Sequence, residues 1–194
     1  MNAISNFSVR SKLGGFDKNF TYLITCNQSR KQIIIDPSVD LKFISPFIND
    51  KPVAIFISHS HHDHIKYLEQ YIESFPGIFV FGHSISADKF LHTNFKIINN
   101  NETIKIGKIQ ITAIHTPGHY FDSICYLIPP IIFTGDTMFV GRTGRVISSG
   151  SNIEELYNSI YNKILTLPNH TRIYPGHHYG DKKSISLKNN IKKS

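Results

Sequence analysis

A short apolar run leads directly into a string of metal-ligand side chains near residue 60. Residues 53–57 are continuously apolar, which is typical of a buried β-strand. From residue 63 onward, apolar residues recur at helical spacing. The chain must therefore pass from a buried strand into a helix through one segment that carries four potential ligands within six residues, namely His59, His61, Asp63 and His64.

This arrangement favours a metal site over a solvent-exposed histidine-rich loop. In an extended segment, side chains at i and i+2 point the same way, so His59 and His61 can reach one ion together. Where the chain turns into the helix, Asp63 and His64 can point at a second nearby position. Imidazole and carboxylate are ligands that zinc and iron accept. Four such groups packed together without a cation would leave buried polar atoms without partners.

Three further candidate ligands follow predicted strands elsewhere in the chain. Each has a glycine immediately before it, and glycine permits the backbone angles and close approach that a crowded site requires. The three residues are His119, Asp136 and His177. One such segment alone is more often a simple turn. Three of them beside the histidine cluster indicate that distant parts of the sequence complete the site.

The remaining pattern predicts a mixed α and β fold. The predicted strands cover residues 20–25, 32–35, 53–57, 78–81, 103–106, 108–114, 124–128, 131–134 and 171–174. The predicted helices cover residues 63–75, 84–91 and 153–165, the last with Asn152 as its cap. Two sheets packed face to face, with helices outside, would bury the apolar faces of these elements.

Composition predicts a globular chain that folds as one domain over residues 1–194. Hydrophobic residues make up 40% and charged residues 18% of the 194 residues. We expect no membrane partner, because no apolar run approaches the roughly 18 residues that a span requires. The N-terminus does not resemble a signal peptide, so we expect a cytoplasmic protein. Cys26 and Cys125 stand alone in strand-like runs and are predicted to be buried thiols in a reducing compartment.

The net charge of +7 does not by itself predict a nucleic-acid partner. Much of the excess lies in the last thirteen residues, which contain Lys182, Lys183, Lys188, Lys192 and Lys193. No aromatic residues interleave these lysines as a stacking surface would need. We therefore interpret residues 181–194 as a solvated, partly frayed basic tail.

The ligand pattern resembles that of the metallo-β-lactamase superfamily. His59, His61, Asp63 and His64 match its HxHxDH signature, and the other three candidates follow in the family's order. The resemblance implies an α/β (α+β) fold, a four-layer αββα sandwich with the site at one edge of two sheets. It also implies two divalent metal ions, with Zn²⁺ expected and a single Fe²⁺ as the alternative. One ion would be held by His59, His61 and His119, the second by Asp63, His64 and His177, with Asp136 bridging both.

Within the superfamily, residues 116–119, 133–139 and 176–179 are most similar to glyoxalase II, the hydroxyacylglutathione hydrolases, and their short relatives. This resemblance implies hydrolysis of a hydroxyacyl thioester by a metal-bound hydroxide, with Asp63 as the catalytic residue that orients it. Arg145 and Tyr179 stand where the family contacts substrate. They predict a small-molecule substrate, an anionic thioester.

Several residues depart from the glyoxalase II pattern. Ile147 stands where a second substrate tyrosine is expected, and Ile65 and Lys66 stand where many members carry small residues. We also expect no separate C-terminal substrate domain. These departures leave open which thiol the natural substrate carries. The sequence does not predict the oligomeric state either.

Four other functions are compatible with parts of the pattern. An iron persulfide dioxygenase would use His59, His119 and Asp136 as a two-histidine, one-carboxylate set. The same site would suit a lactonase or a β-lactamase-like hydrolase. A phosphodiesterase would suit the basic charge, although such nucleases usually carry additional domains. A non-catalytic binding module would be expected to have lost ligands.

We expect His62, between the ligands, to face solvent.

Overall fold

The computed structural model describes residues 6–193, whose strands form two six-stranded sheets and one two-stranded ribbon. The first sheet takes its strands in chain order: β1 (Phe7–Gly14), β2 (Asn19–Cys26), β3 (Gln32–Ile35), β4 (Ala54–Phe56), β5 (Phe79–Gly82) and β6 (Asn94–Ile97). Strands β1 to β3 pair antiparallel, and β3 to β6 pair parallel.

The second sheet has the spatial order β14-β13-β10-β9-β8-β7. Its strands are β7 (Thr103–Ile106), β8 (Ile109–His115), β9 (Ile124–Ile128), β10 (Ile131–Gly135), β13 (Arg172–Pro175) and β14 (Ile185–Ser186). Strands β10 and β13 pair parallel, and the other neighbours pair antiparallel. The ribbon joins β11 (Met138–Phe139) to β12 (Arg142–Thr143).

The helices lie outside the two sheets. They are α1 (His62–Ile65), α2 (Leu68–Ser74), α3 (Ile153–Ser159), which continues as a π-helical segment (Ile160–Ile164), and α4 (Leu187–Ile191). Short 3₁₀ helices cover Leu41–Phe43, Ser45–Phe47 and Ser84–Phe90. No helix within residues 6–193 has the length and apolar character that crossing a membrane requires.

Alternation along the buried strands creates the layers. Tyr22 and Ile24 point into the core between the sheets, whereas Leu23 packs in the outer cluster that also contains residues of α2. Ile132 of the second sheet likewise packs with α3 residues such as Leu156. The predicted four-layer αββα sandwich is therefore confirmed.

The structure corrects the predicted helices. The single helix predicted over residues 63–75 is interrupted at Lys66 and Tyr67, so α1 is a short turn that carries the ligand segment. Asn152 does cap α3, because its side chain accepts hydrogen bonds from the amides of Glu154 (2.9 Å) and Glu155 (3.1 Å).

Two strands and part of the tail differ from expectation. Strands β1 and β6 were not predicted, because β1 alternates apolar with basic residues and β6 is largely exposed. Residues 185–191 form β14 and α4 instead of a frayed tail. Leu187 is buried, and the Asn190 side chain donates to Phe139 O (3.0 Å) and accepts from Gly141 N (2.8 Å). The lysines of this segment remain exposed.

Candidate metal centre

Four chain segments meet at one edge of the sandwich. His59 follows β4, His119 follows β8, Asp136 immediately follows β10, and His177 follows β13. Two backbone hydrogen bonds join the sheets here, from Ile124 N to Ser58 O (2.7 Å) and from Phe20 N to Gly176 O (2.8 Å). The strand ends are thereby fixed relative to one another.

The structure brings together all seven sequence-predicted ligands in three overlapping groups, within each of which the donor atoms lie within 4.8 Å of one another. His59 Nε2 lies 3.0 Å from His61 Nδ1, which lies 3.1 Å from His119 Nε2. A tetrahedral metal with bonds of about 2.0–2.1 Å would place its ligand atoms about 3.3 Å apart. These three imidazoles therefore fit one cation.

Asp63, His64 and His177 form a second ligand group beside the first. His177 Nε2 lies 3.2 Å from His64 Nε2 and 3.3 Å from Asp63 Oδ2. Asp136 lies between the groups: one oxygen is 3.2 Å from His64 Nε2, and the other is 3.5 Å from His119 Nε2. This position allows one carboxylate to contact cations on both sides.

Two observations show that the space among these residues suits cations. Asp136 Oδ1 is buried and, within residues 6–193, makes no hydrogen bond of good geometry. A Cβ added at Gly176 would lie 2.4 Å from that oxygen and 2.7 Å from His64 Cε1. Glycine is therefore required here to keep the space around Asp136 open.

Backbone carbonyls set the tautomer of two ligand histidines. His177 Nδ1 donates to Asp17 O (2.6 Å), and His119 Nδ1 donates to Arg145 O (2.8 Å). Because a carbonyl oxygen can only accept, each Nδ1 carries the proton. When the imidazole is neutral, its Nε2 therefore has a lone pair facing the centre, as a metal ligand requires.

Asp36 orients His64, and the sequence analysis did not single it out. Its carboxylate accepts from Ser58 N (2.7 Å) and Ser58 Oγ (2.6 Å) and lies 2.9 Å from His64 Nδ1. Asn19 plays a similar part, since its Nδ2 donates to Asp63 Oδ2 (2.7 Å). Asp36 directly follows β3, and Asn19 is the first residue of β2. A polar residue at the end of a strand is the only sequence signal for either role.

We expect Asp36→Asn to weaken metal binding or activity by about 10- to 100-fold, because the amide cannot accept from His64 while also accepting from both Ser58 donors. Metal affinity and hydrolysis measured on the same preparation would check this. Asp40→Asn, which changes a carboxylate at the start of the Leu41–Phe43 helix, is the control and should change neither. An unchanged metal affinity in Asp36→Asn would contradict the orienting role.

The metal-free centre holds charges of both signs. Burial lowers the pKa of His61 to about 4, and the neighbouring His119 and His64 act in the same direction. For His177, burial is outweighed by hydrogen bonds to Asp136 and Asp63, which raise its pKa to about 9. At neutral pH His61 is therefore ready to bind a cation, whereas His177 would release a proton on binding.

The predicted substrate residues lie beside the centre. The Tyr179 ring stacks on His177 with centroids 4.8 Å apart, and its hydroxyl donates to Asp17 Oδ2 (2.6 Å). A cavity of about 580 Å³ opens over the ligands and is also lined by Arg145 and Tyr179. His62 is exposed, as expected, and lines this cavity.

The two cysteines, and two histidines that lie close to candidate ligands in the sequence, pack away from the centre. Cys26 and Cys125 are both buried and free, as predicted. His115 stacks on His83, with centroids 4.1 Å apart, and His178 packs against Phe20 at 5.6 Å. These four side chains pack outside the ligand groups.

Fold, ligand set and sequence agree on a class of protein. Residues 14–177 match the Metallo-beta-lactamase superfamily, and the chain belongs to this superfamily. It is a metal-dependent hydrolase of that class.

Two curated relatives and one solved structure illustrate the similarity. The chain is 32% identical over 181 residues to the probable polyketide biosynthesis zinc-dependent hydrolase BaeB of Bacillus velezensis, covering 89% of this chain and 80% of the relative. It is 32% identical over 174 residues to the corresponding protein PksB of Bacillus subtilis, covering 88% and 77%. The structure of ETHE1 from Myxococcus xanthus superposes with a TM-score of 0.84 at 27% identity, covering 96% of this chain and 82% of that one.

Proposed function

We propose that this protein hydrolyses a small anionic thioester, using two Zn²⁺ ions held by the two ligand groups with Asp136 between them. The observation that carries the proposal is the convergence of all seven donors on two adjacent positions. A single iron held by His59, His119 and Asp136 would not use Asp63, His64 and His177 as ligands. The relatives named above as zinc-dependent hydrolases support zinc as the metal.

When bound, such ions lower the pKa of water toward neutrality and polarise an acyl oxygen. Asp63 would orient the attacking water beside its role as ligand; it is half-buried, and its carboxylate is held by Asn19. Burial opposes its ionisation, yet the hydrogen bond with His177 and the charge of His64 hold the pKa of Asp63 well below its usual range. Asp63 is therefore a carboxylate at neutral pH. A thioester suits this site because the leaving thiolate needs little help from a general acid.

Cations beside the centre would recognise the anionic part of the substrate. Arg145 lies in the wall of the main cavity and also in the wall of an adjoining cavity of about 210 Å³. Arg142 lines the adjoining cavity too, with its guanidinium 5.9 Å from the centre of the Tyr179 ring. Two guanidiniums and a tyrosine beside the reacting position favour a carboxylate or phosphate on the substrate.

We expect Arg145→Ala to raise KM about 10-fold for S-acetylglutathione, the loss of one charge-assisted hydrogen bond of about 1.5 kcal/mol. KM for the uncharged S-acetyl-N-acetylcysteamine should not change. Arg172→Ala, an exposed arginine on β13 outside both cavities, is the control. Equal effects of Arg145→Ala on both thioesters would show that Arg145 does not bind the anionic group.

The zinc-reconstituted protein tests the reaction itself. We expect thiol release from S-acetylglutathione or S-lactoylglutathione, followed with a thiol reagent and abolished by a chelator. The competing iron persulfide dioxygenase would use His59, His119 and Asp136. Oxygen uptake with glutathione persulfide by protein carrying one iron, without thioester hydrolysis, would replace our proposal. Cleavage of a phosphodiester substrate alone would also overturn it.

A further inference from the structure

The mouth of the metal cavity carries two unusually exposed apolar side chains. Among the described residues, Phe16 is 82% exposed and Ile147 is 81% exposed, and both line the main cavity. Exposed apolar groups gathered at a cavity indicate a binding role more than scattered ones do. The surface formed by Phe16 and Ile147 is called the apolar rim below.

The apolar rim is fixed to the metal centre on both sides. Phe16 is adjacent to Asp17, whose carbonyl accepts from His177 Nδ1 (2.6 Å). Ile147 is two residues from Arg145, whose carbonyl accepts from His119 Nδ1 (2.8 Å). The two loops that set the tautomers of ligand histidines therefore also carry the two apolar side chains. A substrate group that binds against the rim would therefore lie at a fixed position relative to the metal centre.

The charges around the rim separate the two ends of a substrate. Arg142 lines only the adjoining cavity and Arg145 lines both, so an anionic thiol arm would lie where the two cavities meet. Phe16 and Ile147 line the main cavity but not the adjoining one. Lys66 lies nearby, with its Nζ 5.9 Å from the centre of the Phe16 ring. An apolar acyl chain is the part of a thioester that complements the rim.

We propose that the substrate carries an apolar acyl chain of several carbons, which packs across Phe16 and Ile147 while the carbonyl lies at the metal centre. This inference rests on the proposed thioester hydrolysis and adds a preference for apolar acyl groups over acetyl and lactoyl groups. Burying one methylene against such a rim contributes about 0.8 kcal/mol, equivalent to about a four-fold gain per carbon.

An acyl-chain series on one thiol tests the proposal. With zinc-loaded protein and the acetyl, butyryl and hexanoyl thioesters of glutathione, we expect kcat/KM to rise by about 200-fold from acetyl to hexanoyl, which is about four-fold for each of four methylenes. The double variant Phe16→Ser with Ile147→Ser should lose this rise, so that its kcat/KM for the hexanoyl thioester falls toward its kcat/KM for the acetyl thioester. Both side chains are exposed, so the variant should fold normally.

Leu91→Ser is the matched control, because Leu91 is 78% exposed but lines neither cavity. It should keep the full chain-length dependence. A flat series in the wild-type protein, or a rise that persists in the double variant, would overturn the inference and leave thioester hydrolysis standing. No hydrolysis of any member of the series would overturn both.

Discussion

Replacing Asp136 with alanine is expected to reduce kcat/KM by at least about 10³-fold, equivalent to about 4 kcal/mol of lost transition-state stabilisation. Asp136 is buried, and its oxygens lie 3.2 Å from His64 Nε2 and 3.3 Å from His177 Nε2. Without Asp136, its negative charge would no longer offset the repulsion between the two bound cations. Kinetic measurement at saturating zinc, with elemental analysis of the same sample, would show the loss of activity and of bound metal.

His92→Ala is the control for this variant. His92 is exposed and pairs with Glu69 on the surface, so its removal should leave metal content and activity unchanged. Near-normal hydrolysis by Asp136→Ala would contradict the proposed role of Asp136, whichever metal is bound.

Gly118→Ala is expected to destabilise the protein by about 2–5 kcal/mol. Gly118 has a φ of +133°, and an added Cβ would lie 2.2 Å from the backbone nitrogen of Leu156 in α3. The backbone strain contributes about 1–2 kcal/mol and the overpacking about 1–3 kcal/mol. For a chain of this size the melting temperature should fall by about 4–20 °C. Thermal unfolding followed by circular dichroism would measure this.

Gly77→Ala separates strain from collision. Gly77 also has a positive φ of +79°, but nothing lies within 4 Å of an added Cβ. Its melting temperature should therefore fall by only a few degrees, since strain of about 1–2 kcal/mol acts alone. Equal effects of the two substitutions would show that the loop before His119 does not pack on α3 as described.

The sequence predicted the layers of the fold better than its irregular parts. Buried strands such as β2 and β3 are rich in β-branched and aromatic residues, and their type could be predicted from local pattern alone. Strand β1 places Arg10 and Lys12 over the Phe47 ring, at 4.0 and 4.1 Å. The apolar alternation of Phe7, Val9 and Leu13 in this edge strand is broken at Ser11, so it is too short to predict the strand. The interruption between α1 and α2 also leaves the helical spacing of apolar residues intact.

The candidate metal ligands could be identified because their chemistry is visible in single residues. Histidine and aspartate beside glycine after a strand form a pattern that needs no tertiary information. The supporting residues Asp36 and Asn19 could not be found in this way. Their roles depend on contacts with His64 and Asp63, which lie 28 and 44 residues away in the chain. Only the folded structure shows that these side chains meet.

Metal titration of chelator-treated protein tests the central claim most directly. Zinc would be added stepwise, and bound metal and thioester hydrolysis would be measured at each step. We predict no activity without metal and a plateau of activity when two zinc ions are bound per chain. Thioester hydrolysis that persists in protein free of metal, or a chain that binds no divalent metal, would contradict this account.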